Sequence, residues 1–281
     1  MGLRIATNIA SESVQTNLKQ VSKKTNKELE RLSSGKRITQ ASDDAAGLAI
    51  AKNLEAQTRS LRQAARNASD GISMVQTAEG GLSELHNILV RMRELSVQAS
   101  NETYNTTDRS MITTEMTQLK NEYARITTTA NFNRTNVLDS TDTSFSIQVG
   151  IQNNGDNRIA INMSSLNATL GNVGLATLVT NLASAGNLTT AQTNITAIDT
   201  ALSGIATRRA RLGALQNRME NALSEAANYS QNLSSSQSQI MDVDYASESA
   251  NMTRYQIQQQ AGVAALAQAK AIPQSVISLL S

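Results

Sequence analysis

The chain has 281 residues, 40% of them hydrophobic but only 2% aromatic, with no Trp, two Phe and five Tyr. Its 25 basic and 23 acidic side chains nearly cancel at a net charge of +2, which leaves no field strong enough to recruit nucleic acid or an anionic membrane. With no Cys and one His, the chain has no disulfide framework and almost nothing from which to build a zinc site.

A core without large rings suits narrow helix–helix seams, and the single proline, Pro273, leaves long helices unobstructed. The first residues, Met1 to Asn8, lack the apolar run of a cleaved secretory signal. No stretch approaches the roughly 18 apolar residues of a membrane span.

Val14, Leu18, Val21, Leu29 and Leu32, with Thr25 in the intervening turn, follow coiled-coil-like spacing and predict a first helix with a thin seam. Ser33-Ser34-Gly35 is a stop signal. In Gln40-Ala41-Ser42-Asp43-Asp44-Ala45, Ser42 is expected to cap a second helix, with Asp43 and Asp44 in its first turn. That helix is expected over 44–99, where Leu61, Ala68, Val75, Leu82 and Leu89 recur every seven residues and Ile72, Leu85, Met92 and Leu95 share the face. At 1.5 Å per residue it would be on the order of 80 Å long.

A third helix is expected over 107–129, with Met111, Ile112, Met116, Leu119, Tyr123 and Ile126 on one side. The period then changes to two in Ser144-Phe145-Ser146-Ile147-Gln148-Val149-Gly150-Ile151 and again in Arg158–Met163, predicting a β-hairpin over 144–163. Residues 164 to 193 carry no readable pattern. A long helix over 194–240 is marked by Leu212, Leu215, Met219, Leu223, Ala226, Tyr229, Leu233 and Ile240. A final segment presents Met252, Ile257, Ala261, Ala264 and Ala271 on an Ala- and Gln-rich background.

The expected fold is mostly α: a long antiparallel coiled-coil helical rod with a small β-hairpin and with the N- and C-terminal helices paired. Residues 1–42 plus 242–281 are expected to form a terminal helical domain, and 43–241 a rod domain. The candidate inter-subunit and core seam is Val14, Leu18, Val21, Leu29 and Leu32 on the first helix with Ile257, Ala261 and Ala264 on the last. So few apolar side chains on so long a helix fall short of the entropy cost of ordering it, so the ends should be completed by other copies of the chain. An interface that does not close builds an open polymer.

Nothing in the sequence argues for catalysis or a cofactor. His86 lies in a heptad pattern and reads as a surface or interface side chain, and any Ser–His–Asp set would have to use it. Gly80-Gly81 lacks the context of a phosphate loop and reads as room for close helix packing. Arg59, Arg62 and Arg66, and likewise Arg208, Arg209 and Arg211, read as solvated charge or as inter-subunit partners for acids such as Glu55, Asp70 or Glu84.

Several blocks stand out near the start: Leu32-Ser33-Ser34-Gly35-Lys36-Arg37-Ile38, Asp43-Asp44-Ala45-Ala46-Gly47-Leu48-Ala49-Ile50-Ala51 and Asn67-Ala68-Ser69-Asp70-Gly71-Ile72. Leu212-Gly213-Ala214-Leu215-Gln216-Asn217-Arg218, Ile240-Met241-Asp242-Val243-Asp244-Tyr245-Ala246 and Gln259-Gln260-Ala261-Gly262 complete them near the other end. Together they make the chain resemble bacterial flagellin along nearly its whole length. The resemblance implies a structural subunit that polymerises into the filament used for swimming, in a minimal form without outer variable domains. It also implies that the terminal domain lines the filament channel.

By the same resemblance the partners are further copies of itself, the flagellar export chaperone, the filament cap and hook-junction proteins, and the host flagellin-sensing Toll-like receptor. Export through the flagellar type III apparatus to the cell exterior is implied as well. The receptor segment maps to Arg91, Met92, Arg93, Glu94 and Leu95, with Glu115 on the next helix. The chain departs from the family pattern at Val90, Arg134 and Ser281, where Gln, Gly and Arg are common. The alternative within the organelle is a hook–filament junction protein. A proteolytic flagellin would need a His-Glu-x-x-His motif, which is missing.

Overall fold

The computed structural model describes residues 8–139, 144–171 and 188–280. Five long helices are described: α1 (Ile9–Ser34), α2 (Ala45–Ala99), α3 (Thr106–Thr129), α4 (Leu188–Met241) and α5 (Tyr245–Leu280). Four short strands, β1 (Asn131–Phe132), β2 (Thr135–Asn136), β3 (Ser144–Gln148) and β4 (Arg158–Asn162), form two antiparallel hairpins. The chain divides into two compact units, one of residues 1–58 with 231–281 and one of residues 59–230.

In the central unit, α2 and α4 run antiparallel. Arg93 of α2 meets Asp199 of α4 at 2.6 Å, whereas Glu79, further back along α2, meets Arg209 at 2.7 Å. The heptad positions explain the pairing. Leu61, Ala68, Val75, Leu82 and Leu89 are all buried, and Ile198, Ile205, Leu212 and Met219 supply the matching seven-residue stripe on α4. From α3, Ile112, Met116 and Tyr123 close the core. Met111, expected on this face, is 68% exposed because it lies about 100° round the helix from Ile112.

The β3–β4 register pairs Phe145 with Ile161 and Ile147 with Ile159, so alternation turns both isoleucines of β4 into the core. Val149 and Ile151 fall beyond the strand, in the loop that ends with Asn157. The β1–β2 hairpin, which sequence pattern did not predict, turns on Asn133 and Arg134, both at positive φ (46° and 66°). Asn136 fixes it to the end of α3, donating to the Thr127 and Thr128 carbonyls at 2.8 Å. Further on, the Tyr123 hydroxyl donates to the Ala168 carbonyl (2.8 Å) and Arg208 Nε to the Asn167 carbonyl (3.0 Å), anchoring the segment after β4.

In the terminal unit, α1 ends where predicted by Gly35, whose φ of +69° is left-handed. A Cβ there would stand 3.1 Å from the Tyr245 hydroxyl as well as straining the backbone. The second helix begins later than Ser42 would set it. Asp44 is the cap, its Oδ1 accepting from Gly47 N at 2.8 Å, while Asp43 accepts from Thr39 and Gln40 in the preceding loop. Backbone bonds from Arg37 N to Met241 O (2.7 Å) and Val243 N to Gly35 O (3.1 Å) join the segments leaving α1 and entering α5. Ile38, Ala51 and Met241 form a small apolar cluster beside them.

Candidate assembly interface

The pairing of α1 with α5 is antiparallel. At one end the Asn8 side chain caps α1 by accepting from Ser11 N (3.0 Å) and donates to the Ala269 carbonyl of α5 (2.9 Å). At the other, Arg31 Nη1 lies 2.7 Å from Glu248 Oε1. Between these ends the inward positions of α1 fall on a strict heptad: Ser11, Val14, Leu18, Val21, Thr25, Glu28 and Leu32. Only Ser11 and Glu28 reach full burial; Val14, Leu18, Val21 and Leu32 stay half-buried. The facing positions on α5 are Met252, Tyr255, Gln259, Gly262 and Leu266. Gly262 gives Leu18 room there, since a Cβ would come within 2.8 Å of Leu18 Cδ1 and that methyl would have to shift.

The seam residues expected from sequence therefore divide. Val14, Leu18, Val21 and Leu32 lie along the α1–α5 contact, while Leu29 (58% exposed), Ile257 (61%), Ala261 and Ala264 face solvent. Helix phase separates the two groups. Seven residues after Val21 comes Glu28, so Glu28 takes the inward place and Leu29 turns outward. Ile257 lies midway between Tyr255 and Gln259, on the opposite face of α5. Val263 (54%) and Ile9 (63%) enlarge the outward apolar surface.

Charge is concentrated where α1 ends and α5 begins. Lys27 Nζ lies 2.6 Å from Asp43 Oδ1, and Arg31 Nη1 lies 3.7 Å from Glu28 Oε2 as well as near Glu248. The Lys27 ammonium, with the Gln40 and Thr39 amides, holds the Asp43 carboxyl well below the usual carboxylate range. Burial raises Glu28, and its contact with Glu248 adds to the effect; Glu248 is held down by the hydrogen bonds from Glu28 and Arg31. Sequence reading missed this cluster, although Glu28 at an inward heptad position was the available signal.

The segment compared with the receptor-binding one is also divided. Arg91 is exposed and bonds Glu115 of α3 through Nε (3.0 Å) and Nη2 (2.8 Å), and Glu94 through Nη1 (3.1 Å). Leu95, 2% exposed, belongs to the core beneath, while Val90 is 39% exposed beside Arg91. His86 is half-buried on α2, and its Nδ1 has no hydrogen bond among the described residues. Gly80 and Gly81 differ: a Cβ on Gly81 would meet Leu138 Cδ1 at 2.7 Å, whereas none on Gly80 would meet anything within 4 Å. Among the described residues no group of three or more His, Cys, Asp or Glu could hold a metal ion, and no helix is long and apolar enough to cross a membrane.

Comparison with known proteins matches both halves. The family model of the bacterial flagellin N-terminal helical region fits residues 5–143, and that of the C-terminal helical region fits residues 195–280. A flagellin of Halalkalibacterium halodurans is 45% identical over 256 residues, spanning 90% of this chain and 91% of its own. The flagellar filament 30.7 kDa core protein of Treponema maltophilum is 39% identical over 259 residues, with the same coverage of 90% and 91%. A solved Vibrio parahaemolyticus protein described as flagellar hook-associated is similar at a TM-score of 0.62 and 14% identity, covering 71% of this chain and 100% of that one; the likeness is one of fold.

Proposed function

The chain belongs to the bacterial flagellin family, a family of structural proteins, and is a subunit of the flagellar filament that serves swimming; we propose that α1 and α5 are the part of it that only neighbouring copies complete. The observation carrying this is the outward apolar surface of Leu29, Ile257 and Val263 on two helices whose mutual seam is itself only half-buried. Apolar side chains left in water on a thin helix pair lower the free energy of any assembly that covers them. Leu29, Ile257, Ala261 and Ala264 then contact other subunits, while Val14, Leu18, Val21 and Leu32 hold α1 to α5. In the assembled filament the terminal domain, taken as residues 1–42 with 242–281, lines the channel, and 43–241 forms the rod domain.

The relatives named flagellin and filament core protein, matched along nine-tenths of the chain, favour a propagating filament over a hook–filament junction ring. The filament lies outside the cell. The further partners are an export chaperone, the filament cap, the hook-junction proteins and a flagellin-sensing Toll-like receptor that reads Arg91 and Glu115, with Leu95 supporting that surface from beneath. Delivery runs through the flagellar type III route.

Removing residues 1–40 or 242–281 tests the reading. Either truncation is expected to leave a soluble helical protein that does not extend seeds, while the full chain grows fibres from them. Long fibres from a truncated chain would refute the role given to the ends.

A further inference from the structure

The charges clustered where α1 ends and α5 begins do not balance in pairs. Lys27 is committed to Asp43 at 2.6 Å and Arg31 to Glu248 at 2.7 Å. Glu28, only 7% exposed, is left with that same Arg31 Nη1 at 3.7 Å, and among the described residues its Oε2 accepts no hydrogen bond. A buried carboxylate in that position is disfavoured unless it is neutralised. Three acids thus face two bases, and one bound proton would balance them.

The remaining groups nearby do not supply that balance. Asn251 of α5 donates to Glu248 Oε2 at 3.5 Å. Lys24, one turn back on α1, lies 5.7 Å over the Tyr255 ring and is turned to that aromatic face. Tyr245, at the start of α5, is 59% exposed and places its hydroxyl by Gly35.

We propose that Glu28 and Glu248 share a single proton across the α1–α5 seam, and that its release to solvent base as pH rises loosens the pairing of the first and last helices. The proton resides on Glu28. Glu248 is in the first turn of α5, where the positive end of the helix and Arg31 favour its charged form. Protonated Glu28 can donate to Glu248; deprotonated, it sets two buried carboxylates on one guanidinium.

Burial and the neighbouring carboxylate raise Glu28 above its ordinary range. A carboxyl raised by folding contributes stability that is complete below the ordinary glutamate range and is lost as pH climbs through the raised value. Glu248, held down, contributes with the opposite sign: its share is present above the ordinary range and is lost as pH falls through the depressed value. The clasp is therefore tightest between the two and opens on the alkaline side through Glu28.

The test uses the full-length chain extended from seeds, and so it rests on the filament reading. The critical concentration for growth is measured from about pH 4 to about pH 9 for the unaltered chain, Glu28→Gln and Glu248→Gln. A several-fold rise at the alkaline end is expected for the unaltered chain. Glu28→Gln keeps a permanent donor in place of the proton and should stay within about twofold across the range. Parallel profiles for these two, or a flat profile for the unaltered chain, overturn the proposal. If Glu28→Gln does not grow, Glu248→Gln reads the same step: Glu28 then has Arg31 to itself and the alkaline rise disappears, whereas its persistence overturns the proposal. No fibres from the unaltered chain at any pH would instead overturn the filament reading.

Discussion

Arg134 sits in a left-handed backbone conformation, φ +66°, at the tip of the β1–β2 turn and is exposed to solvent. The turn needs positive φ at both central residues, which an asparagine adopts at lower cost than an arginine. Arg134→Gly is therefore expected to stabilise the chain by about 1 kcal/mol, read as a higher urea midpoint at unchanged slope. At this scale sequence reading was least secure. It sets Leu29 in one seam with Val14, Leu18, Val21 and Leu32 on coiled-coil-like spacing, whereas the seven-residue step from Val21 falls on Glu28 and Leu29 is exposed. It chose Ser42 as a helix cap on residue type, whereas the bond to Gly47 N belongs to Asp44. Identity alone does not decide between adjacent positions; the phase of the helix does.

At the scale of elements, α2 shows how phase becomes legible once it is repeated. Its stripe from Leu61 to Leu89 is buried throughout, because an apolar residue every seventh place keeps one side of a long helix against α4. The same helix gives a paired prediction at Gly80 and Gly81. Gly80→Ala fills open space and removes the flexibility penalty of a mid-helix glycine, so it should stabilise by about 0.5–1 kcal/mol. Gly81→Ala drives a methyl against Leu138, itself fully buried, and should destabilise by about 1–3 kcal/mol. Thermal melts of the two variants must move in opposite directions. The β3–β4 hairpin was legible from alternation for the same reason as α2. The β1–β2 hairpin was not, because two-residue strands have no period to read.

For the whole molecule, the division between residues that hold the fold and residues left for assembly is open to measurement. Leu29→Ala and Ile257→Ala remove exposed side chains, so each should change the stability of the unassembled chain by no more than about 0.5 kcal/mol. Both should nevertheless raise the concentration needed for fibre growth. Leu89→Ala, fully buried in the central unit, should cost about 2–5 kcal/mol in the unassembled chain. The pairing of the terminal helices was legible from the mirror order of short and long seams. The charged cluster that closes their seam was not, since Glu28 and Glu248 lie more than two hundred residues apart and meet only in three dimensions.

Asn8 carries a consequence for the order of events during folding. Its side chain starts α1 and also binds the carbonyl of Ala269, 261 positions further along the chain. A contact that must close a loop of that size is among the slowest a chain can make, and it is unavailable until synthesis or delivery is nearly finished. The earliest helix thus waits for the latest one to lock its first turn, while the central unit can settle from contacts made within itself.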